Sequence, residues 1–256
     1  MNLDLFWVHR DALEAAGIKA GFSTFSAGHL IWVAAMAAGI AWIVHHYVHG
    51  GSVRRDNMRK AMAVFVILFE IFKQGLMALT GINVSEYLPL EVCSCAEYLI
   101  LIDAMWPEER FFRQPLALAY LPAAIMAMLF PTVTAYPLIS FYTIHQFVFH
   151  AVIVAYVLAR SVSGEIVLRY SGIWTSLLTV AAFMAPVYFL DLHFNKNFMF
   201  LRDPYGNPVL GLMWRLSGGN GGWRYILALV ILILIVQHIT FFIYRLVHII
   251  RKKTAA

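Results

Sequence analysis

Between Leu88 and Glu97 an otherwise apolar stretch carries two carboxylates, Glu91 and Glu97, and two thiols, Cys93 and Cys95. A thiol beside ionisable groups is the raw material of nucleophilic chemistry: the sulfur attacks a carbonyl while an imidazole takes the proton. Two histidines, His145 and His150, lie in another apolar run, and Glu70, Lys73 and His29 lie in two more. An ionisable group at membrane depth costs roughly 2.5–3.5 kcal/mol unless it is paired or solvated, so each of these positions is a candidate for function.

The elements that must hold these groups are membrane helices. Of 256 residues, 61% are hydrophobic and 13% charged, against about 25% charged in a soluble domain. Seven apolar runs, 25–48, 61–80, 87–106, 116–130, 137–159, 173–190 and 225–249, approach the length of a bilayer crossing. Lipid offers no partner to an open strand edge, so the expected fold is all-α, a polytopic membrane protein of about seven transmembrane helices. No repeat or low-complexity linker divides the chain, which reads as one integral membrane domain over 1–256. Residues 1–21, with Asp4, His9, Arg10, Asp11 and Glu14, have no apolar core for a signal peptide and read as an N-terminal interfacial segment.

Basic residues give the orientation. Arg54, Arg55, Arg59 and Lys60, then Arg110 and Arg113, then Arg160 and Arg169, then Arg251, Lys252 and Lys253 mark alternate connections. The expectation is N-out, C-in, with the basic side cytoplasmic. The connection 191–224 breaks the pattern; its Gly, Asn and Pro content, including Asn195 and Asn197, reads as a structured outer loop. The excess of Lys and Arg over Asp and Glu, 19 against 14, suits this topology. No phosphate loop, haem motif or nucleic-acid module is present, so membrane lipids are the expected partners and nucleic acid is not.

A rise of about 1.5 Å per residue puts Cys93 roughly 10 Å, His145 roughly 12 Å and His29 about 6 Å below the outer ends of their spans. Glu70 and Lys73 fall roughly 10–15 Å from the same face. Each group has two readings. Glu70 and Lys73, three apart, are either a neutralising pair within one helix or an electrostatic wall for a headgroup. Cys93 is either a buried small side chain or a nucleophile served by a histidine, with Glu91 and Glu97 orienting the imidazole. Cys95 faces nearly the opposite side of the helix and reads as packing. His145 and His150 point about 140° apart, so at most one is expected to be catalytic. The Cys and His spacings match no diagnostic metal set, so neither metal nor cofactor is expected.

Several stretches resemble the YwaF-like family of bacterial integral membrane proteins, related to eukaryotic Transmembrane Protein 164. They are Phe25 to Leu30, Leu88 to Ser94, His145 to His150, and Asn197 to Leu201 with Pro204. The resemblance implies a seven-helix or nearly seven-helix fold in a bacterial cell membrane. By way of the eukaryotic relative it implies acyl transfer between phospholipids through an intramembrane cysteine, which maps to Cys93 with His150 as its histidine. The family usually shows Leu-Pro-Leu-His-Leu-Cys, and this chain has Glu91 where that His stands. The leading expectation is therefore a membrane lipid acyltransferase or hydrolase with Cys93 as nucleophile and His150 or His145 as base. Asn195 and Asn197 would close the entrance or bind headgroup oxygens. The rival readings are a proton-coupled carrier using the buried Glu, Lys and His, and a non-catalytic receptor or scaffold.

Overall fold

The computed structural model describes residues 5–107 and 110–254. Residues 1–4 of the N-terminal segment and the basic side chains of the tail at 251–253 lie outside that description. In chain order the helices are α1 (Arg10–Ala15), α2 (Ala27–Val48), α3 (Ser52–Leu79), α4 (Val92–Met105), α5 (Arg113–Pro115), α6 (Leu121–Leu129), α7 (Phe141–Val162), α8 (Gly172–Phe194), α9 (Pro208–Leu216) and α10 (Trp223–Thr254). Among the described residues there is no strand. Five helices, α2, α3, α7, α8 and α10, are long and apolar enough to cross a membrane.

The runs at 87–106 and 116–130 form shorter helices than their apolarity predicts. In the first, Leu88 to Glu91 stay outside the helix, where Pro89 has no N–H to give, and α4 starts only at Val92. The depth of Cys93 counted by helical rise therefore does not hold, because Cys93 lies in the first turn. In the second, a π-helical turn over Leu116–Tyr120 joins α5 to α6. Pro122, at the start of α6, lacks the N–H that would have bonded the Leu118 carbonyl, and the wider turn absorbs the gap.

The core sits around α7, which is packed on its sides by α2, α3, α4 and α6. Phe147, Ile153, Tyr156 and Val157 are fully buried there, and Trp32 of α2 stacks on Phe147 at 5.4 Å. Polar caps set the entries. Ser140 Oγ accepts from the Thr143 amide, and Asn207 Oδ1 accepts from those of Val209 and Leu210. Outward faces carry Ile31, Leu68, Leu178, Phe189 and Phe242, all exposed, as a lipid-solvated surface requires.

The N-terminal segment folds against the helix ends. The Phe141 amide donates to the Phe6 carbonyl, and Trp7 stacks on Phe141 at 5.5 Å. His9 and Leu13 are buried, His9 among the rings of Tyr87, Tyr136 and Tyr142. Gly21 passes so close to the Thr134 carbonyl oxygen that a Cβ would collide with it.

Candidate functional site

α3 and α7 pack together and bring Glu70 to His145. Glu70 Oε1 takes an ion pair from Lys73 Nζ at 2.6 Å and a hydrogen bond from Gln74 Nε2 at 2.7 Å. Gln74 Nε2 also donates to the Tyr87 carbonyl, tying the helix to the following loop. His145 Nε2 stands 3.4 Å from Glu70 Oε2 at ion-pair distance, but without hydrogen-bond geometry, and has no hydrogen-bond partner among the described residues. Glu70 and Lys73 thus form the within-helix pair that their spacing allows. A cavity of about 410 Å³ between α3 and α4 is lined by Glu70, Gln74, Gly75, Pro89, Glu97 and Tyr98. Glu97 Oε2 is buried there without a hydrogen-bond partner among the described residues.

Cys93 is the second residue of α4 and half-buried, whereas Cys95 packs in the core. The first intrahelical bond of α4 runs from the Cys95 amide to the Glu91 carbonyl. The amides of Val92, Cys93 and Ser94 precede it, and no side chain caps them among the described residues. A thiol therefore shares its turn with three unpaired N–H groups at the positive end of a helix dipole, an arrangement suited to an oxyanion.

Glu91 does not cap its own helix. Its Oε2 accepts from the Met199 amide at 2.9 Å, across 108 positions of sequence. That amide belongs to a strained turn in which Met199 and Phe200 both hold positive φ, at 55° and 57°. Such a conformation costs of order 1–3 kcal/mol per residue and persists where surrounding contacts enforce it. Asp191 supplies the companion contact: its Oδ1 accepts from the Phe198 amide at 2.9 Å.

His150 donates from Nδ1 to the Gln146 carbonyl at 2.6 Å, since a carbonyl can only accept. In the neutral ring this leaves Nε2 as the lone-pair acceptor. The orienting group is thus a backbone carbonyl of its own helix, not Glu91 or Glu97 as the sequence suggested. Among the described residues neither His145 nor His150 is hydrogen-bonded to the Cys93 thiol, although α4 and α7 pack against each other.

The structure does not bring every candidate to this layer. His29 accepts from the Phe25 amide through Nδ1 and donates from Nε2 to the Met128 carbonyl, each at 2.9 Å, so both ring nitrogens clasp α2 to the end of α6. Asn195 takes the left-handed position ending α8, and its Oδ1 accepts from Arg202. Asn197 Oδ1 accepts the amides of Arg202 and Asp203, while its Nδ2 donates back to the Asp203 carbonyl. Both asparagines shape the loop internally. Among the described residues no three His, Cys, Asp or Glu side chains gather as a metal would need.

Sequence reasoning missed a second polar centre at the other end of α7. Asp103 of α4, fully buried, accepts from Arg113 Nε at 3.2 Å and from the Tyr156 hydroxyl at 2.6 Å, and is ion-paired with Arg160. Arg160 Nε also donates to Glu165 at 2.9 Å, and the Tyr47 hydroxyl donates to the same carboxylate at 2.8 Å. Partial burial pushes the Glu165 carboxyl up, but Tyr47 and Arg160 outweigh it and hold it below the ordinary glutamate range. Asp103 was the available signal: an acid inside an apolar run, answered by arginines that charge counting assigned to loops.

Over residues 24–244 the sequence matches the model of the TMEM164 family. No curated protein and no solved structure matches the chain.

Proposed function

The chain belongs to the TMEM164 family, and on that footing we propose that this multi-pass membrane protein transfers or hydrolyses acyl groups of membrane lipids. Cys93 is the nucleophile and His150 the base, with His145 as its alternate. In the proposed topology α4 and α6 complete seven crossings of a bacterial cell membrane, N-terminus outside, and Cys93 works near the outer leaflet. The observation that carries the reading is the first turn of α4, where Cys93 and three unpaired amides stand together.

In the proposed step Cys93 Sγ attacks an ester carbonyl as its proton passes to Nε2 of His150. The developing oxyanion is held by the amides of Val92, Cys93 and Ser94. The ester C–O bond breaks, and the lipid alcohol leaves with the proton from the imidazolium. Water or a second lipid hydroxyl then attacks the thioester and gives its proton to Nε2, which passes it to the departing sulfur. The C–S bond breaks, and the Cys93 thiol and neutral imidazole are restored. Glu70 and Glu97 line the cavity between α3 and α4, with Lys73 paired to Glu70, while His29, Asn195 and Asn197 act through the framework.

The test is a lipid-ester activity probe on purified protein, with Cys93→Ser beside Cys95→Ser. Acylation of wild type and of Cys95→Ser, but not of Cys93→Ser, is expected, with loss of turnover in His150→Gln. Labelling that survives Cys93→Ser, or needs Cys95 equally, overturns the reading. A carrier reading draws on Glu70 and Glu97 facing one cavity. It requires pH-gradient-driven uptake into liposomes that Glu70→Gln abolishes.

A further inference from the structure

A cavity of about 630 Å³ lies at the Asp103 end of the bundle and is lined by Arg59, Arg110, Arg113, Arg160 and Arg169 together with Ser171 at the start of α8. Three carboxylates answer three of these five guanidiniums: Asp56 pairs with Arg59, Asp103 with Arg113 and Arg160, and Glu165 with Arg160. Arg55 also approaches Glu165, at 3.9 Å. Arg110 and Arg169, both exposed, have no carboxylate partner among the described residues. Two further acids, Glu108 and Glu109, precede Arg110 in sequence and lie outside the described residues.

A second observation concerns the same lining. Arg59 is more than nine-tenths buried, yet its Nε has no hydrogen-bond partner among the described residues. Its Nη2 pairs with Asp56, but leaving the buried Nε–H unpaired costs about 1–3 kcal/mol, and an anion in the cavity that Arg59 lines would supply the missing acceptor. The N-terminus of the 23-residue α8 adds the positive end of its dipole to the same space. The loop forming the wall is fixed in place, because Gln114 Oε1 accepts the Arg169 amide and Gln114 Nε2 donates to the Val167 carbonyl.

From these features we infer that the cavity binds a phosphate group. Guanidinium forks suit phosphate oxygens in bidentate geometry, and a tetrahedral anion can engage several of them at once. The volume exceeds what one phosphate fills, leaving room for the alcohol esterified to it. Beside the cavity Phe111, Tyr170 and Trp174 are exposed, the aromatic and apolar setting of a membrane–water interface. That setting favours a phospholipid headgroup as the source of the phosphate over a soluble phosphate. The site lies apart from Cys93 and does not depend on acyl transfer.

The experiment uses the full chain in neutral detergent and follows thermal unfolding and direct binding. The probes are phosphatidylglycerol mixed micelles, phosphatidylcholine mixed micelles, inorganic phosphate, and sodium chloride at matched ionic strength. Phosphatidylglycerol should raise the midpoint saturably, and the double variant Arg110→Gln/Arg169→Gln should bind it at least about tenfold more weakly. Neither side chain belongs to the Asp103 network, so the variant's unliganded midpoint should match wild type. Should that midpoint fall, Arg110→Lys/Arg169→Lys keeps the charges and must recover part of the affinity. Saturable binding of inorganic phosphate at comparable affinity supports the site and identifies a soluble ligand. A midpoint shift reproduced by chloride, or equal affinity in wild type and both variants, overturns the inference.

Discussion

Replacing Asp103 with asparagine tests the buried centre most directly. The carboxylate serves Arg113, Arg160 and the Tyr156 hydroxyl at once, and both Asp103 and Arg160 are only about 1% exposed. An amide keeps the shape but offers one acceptor oxygen and turns an NH₂ toward groups that are themselves donors. Breaking a buried ion pair from one side costs about 3–5 kcal/mol, because the partner charge stays buried. Tyr156→Phe removes one bond to Asp103 and one contact to Arg160, for about 1.5–3 kcal/mol. At about 2–4 °C per kcal/mol for a chain of this size, Asp103→Asn should lower the unfolding midpoint by roughly 6–20 °C. The two changes should combine to less than their sum, since each removes part of the other's bonding. The assay is thermal unfolding of the purified variants in one detergent. A fall under about 3 °C, or strict additivity, refutes the view that Asp103 anchors a connected network.

Two further predictions concern the framework. Gly21→Ala places a Cβ against the Thr134 backbone carbonyl, which also accepts the Phe22 amide; a loss of about 1–3 kcal/mol is expected in the same unfolding assay. Glu165, held below its ordinary range, contributes stability that is present above the unfolded glutamate value and lost as pH falls through the native one. Glu165→Gln should therefore be less stable at neutral pH and lose less on acidification through that window. Parallel stability curves for the two proteins would show that the carboxylate is not coupled to folding.

The sequence revealed helical membrane character because apolarity over tens of residues is a property of composition. It also placed Glu70 and Lys73 on one helix face, since a spacing of three fixes that geometry wherever the helix sits. Depth was less secure. Counting rise from Tyr87 assumed a helix through Pro89, and the chain instead begins α4 at Val92. Charge counting took Arg113 and Arg160 for loop markers, yet both are buried against Asp103. A positive-inside tally cannot distinguish an arginine that anchors a core from one that faces headgroups. Long-range partners were illegible for a further reason: nothing in Leu88 to Glu97 announces that Glu91 will hold an amide 108 residues away.

That contact also bears on position 91, where the resemblance drawn from the sequence led one to expect histidine and this chain has Glu91. Glu91 joins the turn carrying Cys93 to the turn carrying Met199, so its hydrogen bond and its charge have to be separated. Glu91→Gln does this, because the amide oxygen still accepts from Met199 while the charge is gone. A carboxylate at the start of α4 competes with a developing thiolate for the same positive helix end. The proposed chemistry should then proceed by proton transfer to His150 as the sulfur attacks, rather than from a thiolate formed in advance. Removing the charge should raise the rate of Cys93 alkylation by a small membrane-permeable reagent about tenfold, equal to roughly 1.4 kcal/mol. Cys95, buried in the core, should react slowly in both proteins. Glu91→Ala gives up the hydrogen bond as well and should expose the turn at 198–200 to proteolysis, which Glu91→Gln should not. An alkylation rate unchanged in Glu91→Gln would mean that Glu91 does not govern the thiol and serves only to anchor the loop at Met199.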